Sequence, residues 1–193
     1  VRMSDELVTV RQARMFETHF RFAQDIQLLS WQEYRTANTS IPRELLNRVG
    51  GFDPVMVAAE DTELASRLHD QGMAFWYVDH ISTTHHHPIS FHGYFEKGAK
   101  YGEAVAHWYR KSPQLRPVLV QRYGVFARET RFLKKIQYAV RALVINQFTI
   151  STVSWWGLVL RPLWFDFSEF VNIQVYRYRT RRAFRSALSG KIN

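Results

Sequence analysis

Charge divides this chain into two unlike parts. Residues 1–115 carry 12 Lys and Arg against 14 Asp and Glu, whereas residues 116–193 carry 14 against 3. The net charge of +9 therefore belongs to the second part alone. That part also holds 19 residues without any charge, Ala142 to Leu160, and three of the six tryptophans, Trp155, Trp156 and Trp164. The chain reads as one domain over 1–115 followed by a basic, Trp-rich helical region over 116–193.

The basic residues are not interleaved with a nucleic-acid recognition motif, so no nucleic-acid partner is expected. They flank apolar, Trp-rich stretches, which suits an anionic membrane surface. An apolar fraction of 46% with 15% aromatics excludes a disordered polar tail. The absence of cysteine excludes disulfides and thiolate metal sites. The chain opens on Val1, with no basic segment leading into a short apolar run. A signal peptide is not expected, and a sequence cut from something longer is.

Hydrophobic spacing predicts a helix from Arg2 to Tyr34, with an aromatic face that reads as core. Arg35 to Ser40 reads as a short strand. Pro42 opens a helix through Leu45, Leu46 and Val49 that stops at Gly50-Gly51. Phe52 to Ala59 reads as a loop. Glu60-Asp61-Thr62 starts a helix in which Glu63 and Arg67 pair at i,i+4 and which Gly72 ends. Met73 to Val78 is a strand candidate, and Ile81 to Thr84 continues extended into His85-His86-His87. Phe91 to Lys111 is an amphipathic helix with Phe91, Phe95, Gly98, Gly102 and Val105 on one stripe, the glycines permitting close helix packing.

Four pieces then occur in order: Ala37-Asn38-Thr39-Ser40, Gly50-Gly51-Phe52-Asp53, Glu60-Asp61-Thr62-Glu63-Leu64 with Arg67-Leu68, and the alternating Tyr77-x-Asp79-x-Ile81-x-Thr83-x-His85. This order resembles the acceptor-side half of family 2 glycosyltransferases, over roughly residues 14–112. The resemblance implies an α/β fold, a partial GT-A domain with few strands followed by apolar and basic helices. It implies sugar transfer, with inversion, from a nucleotide-diphospho-sugar to an acceptor hydroxyl. Asp61 matches the base that takes the acceptor proton, and Glu60 shapes the loop or contacts the acceptor. Gly50 and Gly51 match a turn that lets backbone approach the substrate cleft. Asn38 and Arg67 fall at substrate-side positions, Asn38 having local backbone as its other use. His85 matches a ligand to the divalent ion, Mn²⁺ or Mg²⁺, on the donor diphosphate.

The chemistry is consistent with those residue types. Sugar transfer needs a base at the acceptor oxygen and positive charge for the departing diphosphate. A carboxylate at a helix start is fixed in direction, and the helix dipole favours its ionised form. It is a weak base that works by being unprotonated and well placed. A neutral imidazole at a strand end suits Mn²⁺ beside carboxylates and phosphates. The plainer readings are capping and dipole pairing for Glu60-Asp61, and a surface turn for the three histidines. Family members carry upstream a strand–helix nucleotide unit and an Asp-x-Asp motif, and neither pattern occurs here. The expectation is a fragment, or a chain whose N-terminal half is a separate partner, with the metal bound only when that half is present. The alternative is a non-catalytic, membrane-associated interaction module.

Residues 130–193 admit three arrangements. They are an interfacial helical hairpin with its tryptophans at headgroup depth, a helical pair packed on the transferase core, and a true span. The first fits a peripheral enzyme on the cytoplasmic membrane face whose acceptor lies at the bilayer.

Overall fold

A computed structural model describes residues 26–78, 81, 90–123, 144–159 and 165–190. Contacts along the chain divide it into two compact units, Val1–Ile89 and Ser90–Asn193. Among the described residues the protein is mostly helical, with one small two-stranded antiparallel sheet.

In the first unit, β1 (Ile26–Leu29) pairs with β2 (Phe75–Val78), Ile26 lying opposite Val78 and Leu29 opposite Phe75. Side chains alternate across a strand, so Ile26, Leu28, Trp76 and Val78 share one face and Gln27, Leu29, Phe75 and Tyr77 the other. The second face carries the core, in which Phe75 packs with Tyr34, Leu64, Ala65 and Leu68, and Leu29 adjoins them. The first face stays open, with Ile26, Leu28 and Trp76 all exposed.

Strand β1 corrects the helix expected from Arg2 to Tyr34. Residues 1–25 of that segment lie outside the described residues, and from Ile26 onward the backbone is extended. Ile26 and Leu29 fit a helical spacing, but pairing with a strand almost fifty residues later decides their conformation, a long-range effect no local period reveals. Ser30 then caps a single 3-10 turn, Trp31–Glu33, in a reciprocal capping box with Glu33. The strand expected at Arg35–Ser40 is likewise absent, and turns and bends take its place. These residues have no apolar face to bury, and the Arg35 guanidinium folds back onto the carbonyls of Gln32 and Tyr34 at 3.3 and 2.6 Å.

Helix α1 (Arg43–Arg48) begins after Pro42 as the sequence implies, and two left-handed glycines follow it, Gly50 at φ 78° and Gly51 at φ 67°. Helix α2 (Glu60–Asp70) buries Leu64, Ala65 and Leu68 completely against the sheet and the 3-10 turn. Between them the Phe52–Ala59 loop is anchored by buried Met56, Ala58 and Ala59. Of the extended segment expected at Ile81 to Thr84, only Ile81 lies within the described residues.

The second unit opens with α3 (Phe91–Lys111), whose N-cap Ser90 accepts from the Gly93 amide at 3.0 Å. Pro113 starts a 3-10 turn that leads into α4 (Arg116–Tyr123). Helix α5 (Ile150–Val159) and the 24-residue α6 (Phe165–Leu188) complete the unit. Gly98 meets Tyr176, Gly102 meets Thr180, Ala183 and Phe184, and Arg110 donates to the carbonyls of Ala187 and Leu188. These contacts advance together along both helices, so α3 and α6 run parallel. That packing places Phe91–Lys111 with the basic helices, a division earlier in the chain than the one charge draws at 115/116. Among the described residues no helix is long and apolar enough to cross a membrane.

Candidate active site

The candidate site assembles at the start of α2. Ala59, its N-cap, holds φ 57°, the left-handed region that a residue with a Cβ rarely enters. The bend turns the chain directly into Glu60 and Asp61. Three acidic side chains, Glu60, Asp61 and Glu63, fall in the first turn, where the helix dipole stabilises negative charge.

Their environments differ. Glu63 is 1% exposed and forms a two-pronged ion pair with Arg67, at 2.9 Å to Nε and 2.6 Å to Nη2. Arg67 also donates from Nη1 to the Val49 carbonyl at 2.5 Å. Its guanidinium therefore fastens α2 to the end of α1, just ahead of the Gly50-Gly51 turn. Arg67, expected on the substrate side, is spent on holding the site's framework.

Asp61 is half-buried, and its Oδ1 accepts from the Thr62 amide at 2.7 Å and the Thr62 hydroxyl at 3.3 Å. Its Oδ2 accepts no hydrogen bond among the described residues. The two contacts to Oδ1 fix the direction of the carboxylate. Glu60 beside it is also half-buried.

The turn segment after β1 supplies the neighbours. Tyr34 is buried, and its ring meets Phe75 edge-on at 5.2 Å. Burial pushes its phenol above the usual tyrosine value, the Thr39 side chain pulls it back somewhat, and the negative charge of Asp61 adds to the rise. Tyr34 therefore lies within electrostatic reach of Asp61. Asn38 Nδ2 reaches the Ile81 carbonyl in a long 3.5 Å hydrogen bond. The backbone that Asn38 reaches thus belongs to a distant segment, not to its own turn.

Asp61 and Arg67 thus share α2, Arg67 reaches Val49 next to Gly50-Gly51, and Asn38 reaches Ile81. His85 lies outside the described residues. Among the described residues no group of three His, Asp or Glu side chains could hold a metal ion. Tyr34 escapes sequence reasoning, since it reads as the end of an aromatic core face. Its position three residues before the Ala37–Ser40 motif is the one signal that could have singled it out.

Comparison with known proteins finds no matching family model, no matching curated protein and no matching solved structure.

Proposed function

We propose that this chain is the acceptor-side part of a GT-A glycosyltransferase of the family 2 type, acting in glycan biosynthesis with Asp61 as the base. The observation that carries the reading is the reach of the Asn38 amide to the Ile81 carbonyl, which links the first of the four sequence pieces to the last, with the charge of Asp61 acting on Tyr34 just before the first. The Oδ2 of Asp61 would take the acceptor hydroxyl's proton as the oxygen attacks the anomeric carbon of a nucleotide-diphospho-sugar, while the bond from that carbon to the diphosphate oxygen breaks and the nucleoside diphosphate leaves, inverting the centre. Thr62 would keep the carboxylate from turning away, and Glu60 would flank the acceptor. A two-stranded sheet with one apolar face exposed also favours a larger assembly, in which a nucleotide-binding half covers that face. A divalent ion, Mn²⁺ or Mg²⁺, would depend on that half and on His85.

The test is transfer of a labelled sugar to a hydroxyl acceptor, with the nucleotide-binding half supplied. Asp61→Asn keeps the shape of the side chain and the Thr62 contacts but cannot take the proton. Turnover should fall by at least about a hundredfold, with donor binding unchanged. Turnover retained by Asp61→Asn would remove the residue from this role.

A further inference from the structure

The second unit exposes apolar aromatic surface that its own core does not use. Trp155 and Trp156 sit side by side on α5, ring centroids 5.2 Å apart, and are 56% and 49% exposed. Phe148 just before α5 is 84% exposed, and Phe170 on the adjoining α6 is 47% exposed. Helix α5 carries no charged residue at all. A helix of this composition is ordinarily buried, and here its tryptophans face outward.

What lies beside that surface selects its occupant. Helix α6 packs on α5 and bears Arg177, Arg181 and Arg185 at four-residue spacing, one stripe, with Arg182 flanking it. Arg177, Arg182 and Arg185 are exposed. From Phe170 to the last residue there is no acidic side chain. A chargeless aromatic patch next to an unbalanced cationic stripe matches a surface that is apolar within and negative at its face. An anionic bilayer supplies both. At ten residues α5 is about 15 Å long, half the hydrocarbon thickness of about 30 Å, so it fits the interface and not a crossing.

We propose that α5 docks into the interface of an anionic lipid bilayer, Trp155 and Trp156 entering at headgroup depth while the α6 arginines meet lipid phosphates. The inference is independent of the transfer reaction, since it rests only on the second unit and is read without sugar or nucleotide.

The experiment uses the full chain with vesicles of phosphatidylcholine alone or mixed with phosphatidylglycerol, at low and high salt. Co-sedimentation should occur with the mixed vesicles and weaken as salt rises, because screening removes the charge contribution. Lipids brominated near the headgroup should quench tryptophan fluorescence. Trp155→Ala with Trp156→Ala should lower partitioning at least about tenfold, equivalent to about 1.4 kcal/mol, and remove most of the quenching. Trp155→Phe with Trp156→Phe should retain part of the binding, and unchanged circular dichroism of both variants should show that the fold persists. Arg182→Ser with Arg185→Ser should flatten the salt dependence. Failure to sediment with the anionic vesicles overturns the proposal, as does binding that the Trp→Ala pair leaves intact. Self-association that the same pair abolishes, with no quenching by lipid, assigns the patch to a second copy of the chain and overturns it equally.

Discussion

Arg67 joins a buried carboxylate to the backbone at the end of another helix. Its partner Glu63 is enclosed, so taking Arg67 away leaves a carboxylate buried without compensation. Arg67→Met should therefore cost about 3 kcal/mol in urea unfolding, and adding Glu63→Gln should recover much of the loss. Tyr34 gives a second expectation, in pH. Its phenol is raised in the folded protein above the ordinary value of 10.0, so above that value the unfolded chain loses its proton first. The stabilising contribution is fully present below pH 10.0 and is lost as pH rises through the folded value. Tyr34→Phe should flatten this alkaline limb in a pH series of denaturation midpoints.

At the scale of elements, the decisive contact of the second unit is α3 against α6. A Cβ at Gly102 would meet the Thr180 carbonyl, and would stand 2.9 Å from both the Phe184 amide and Ala183 Cβ. Backbone cannot yield as a side chain does. At Gly98 the added carbon would meet the Tyr176 ring at 3.1 Å and its carbonyl at 3.2 Å, a milder crowding. Gly102→Ala should destabilise the unit by about 1–3 kcal/mol in thermal or urea melts, and Gly98→Ala by less. Helix propensity alone predicts the opposite sign, since alanine favours a helix over glycine by about 1 kcal/mol. The stripe of Phe95, Gly98, Gly102 and Val105 was legible as a packing face because α3 keeps a helical period throughout. Its partner was not legible, because nothing in residues 165–188 marks which helix they meet.

For the molecule as a whole, two units with separate cores imply separate responses to damage. Arg67→Met should speed amide hydrogen exchange in residues 43–78 and leave 165–188 as protected as before. Gly102→Ala should do the reverse. Mass spectrometry of exchanged peptides reads both, and a shared loss of protection in either variant would join the two units into one cooperative block. The charge division of the sequence at 115/116 and the division of contacts at 89/90 fall at different places, with α3 between them. Charge reports what solvent sees, and α3 is sorted by what it buries.

Local chemistry was enough for the helices whose start, stop and apolar face all agree. Pro42 and the two left-handed glycines bound α1, the acidic first turn opens α2, and the Glu63–Arg67 pair follows from one helical turn of spacing. The resemblance that named Asp61 likewise rests on residues close together in the chain. Tertiary structure alone decided that Ile26–Leu29 is a strand, that Arg67 reaches Val49, that Tyr34 lies near Asp61, and that Trp155 and Trp156 stay outside. Each of these depends on a partner far away in sequence or on a face left without one. Short-range periodicity carries no record of either, because the energy of a long-range contact belongs to two segments at once.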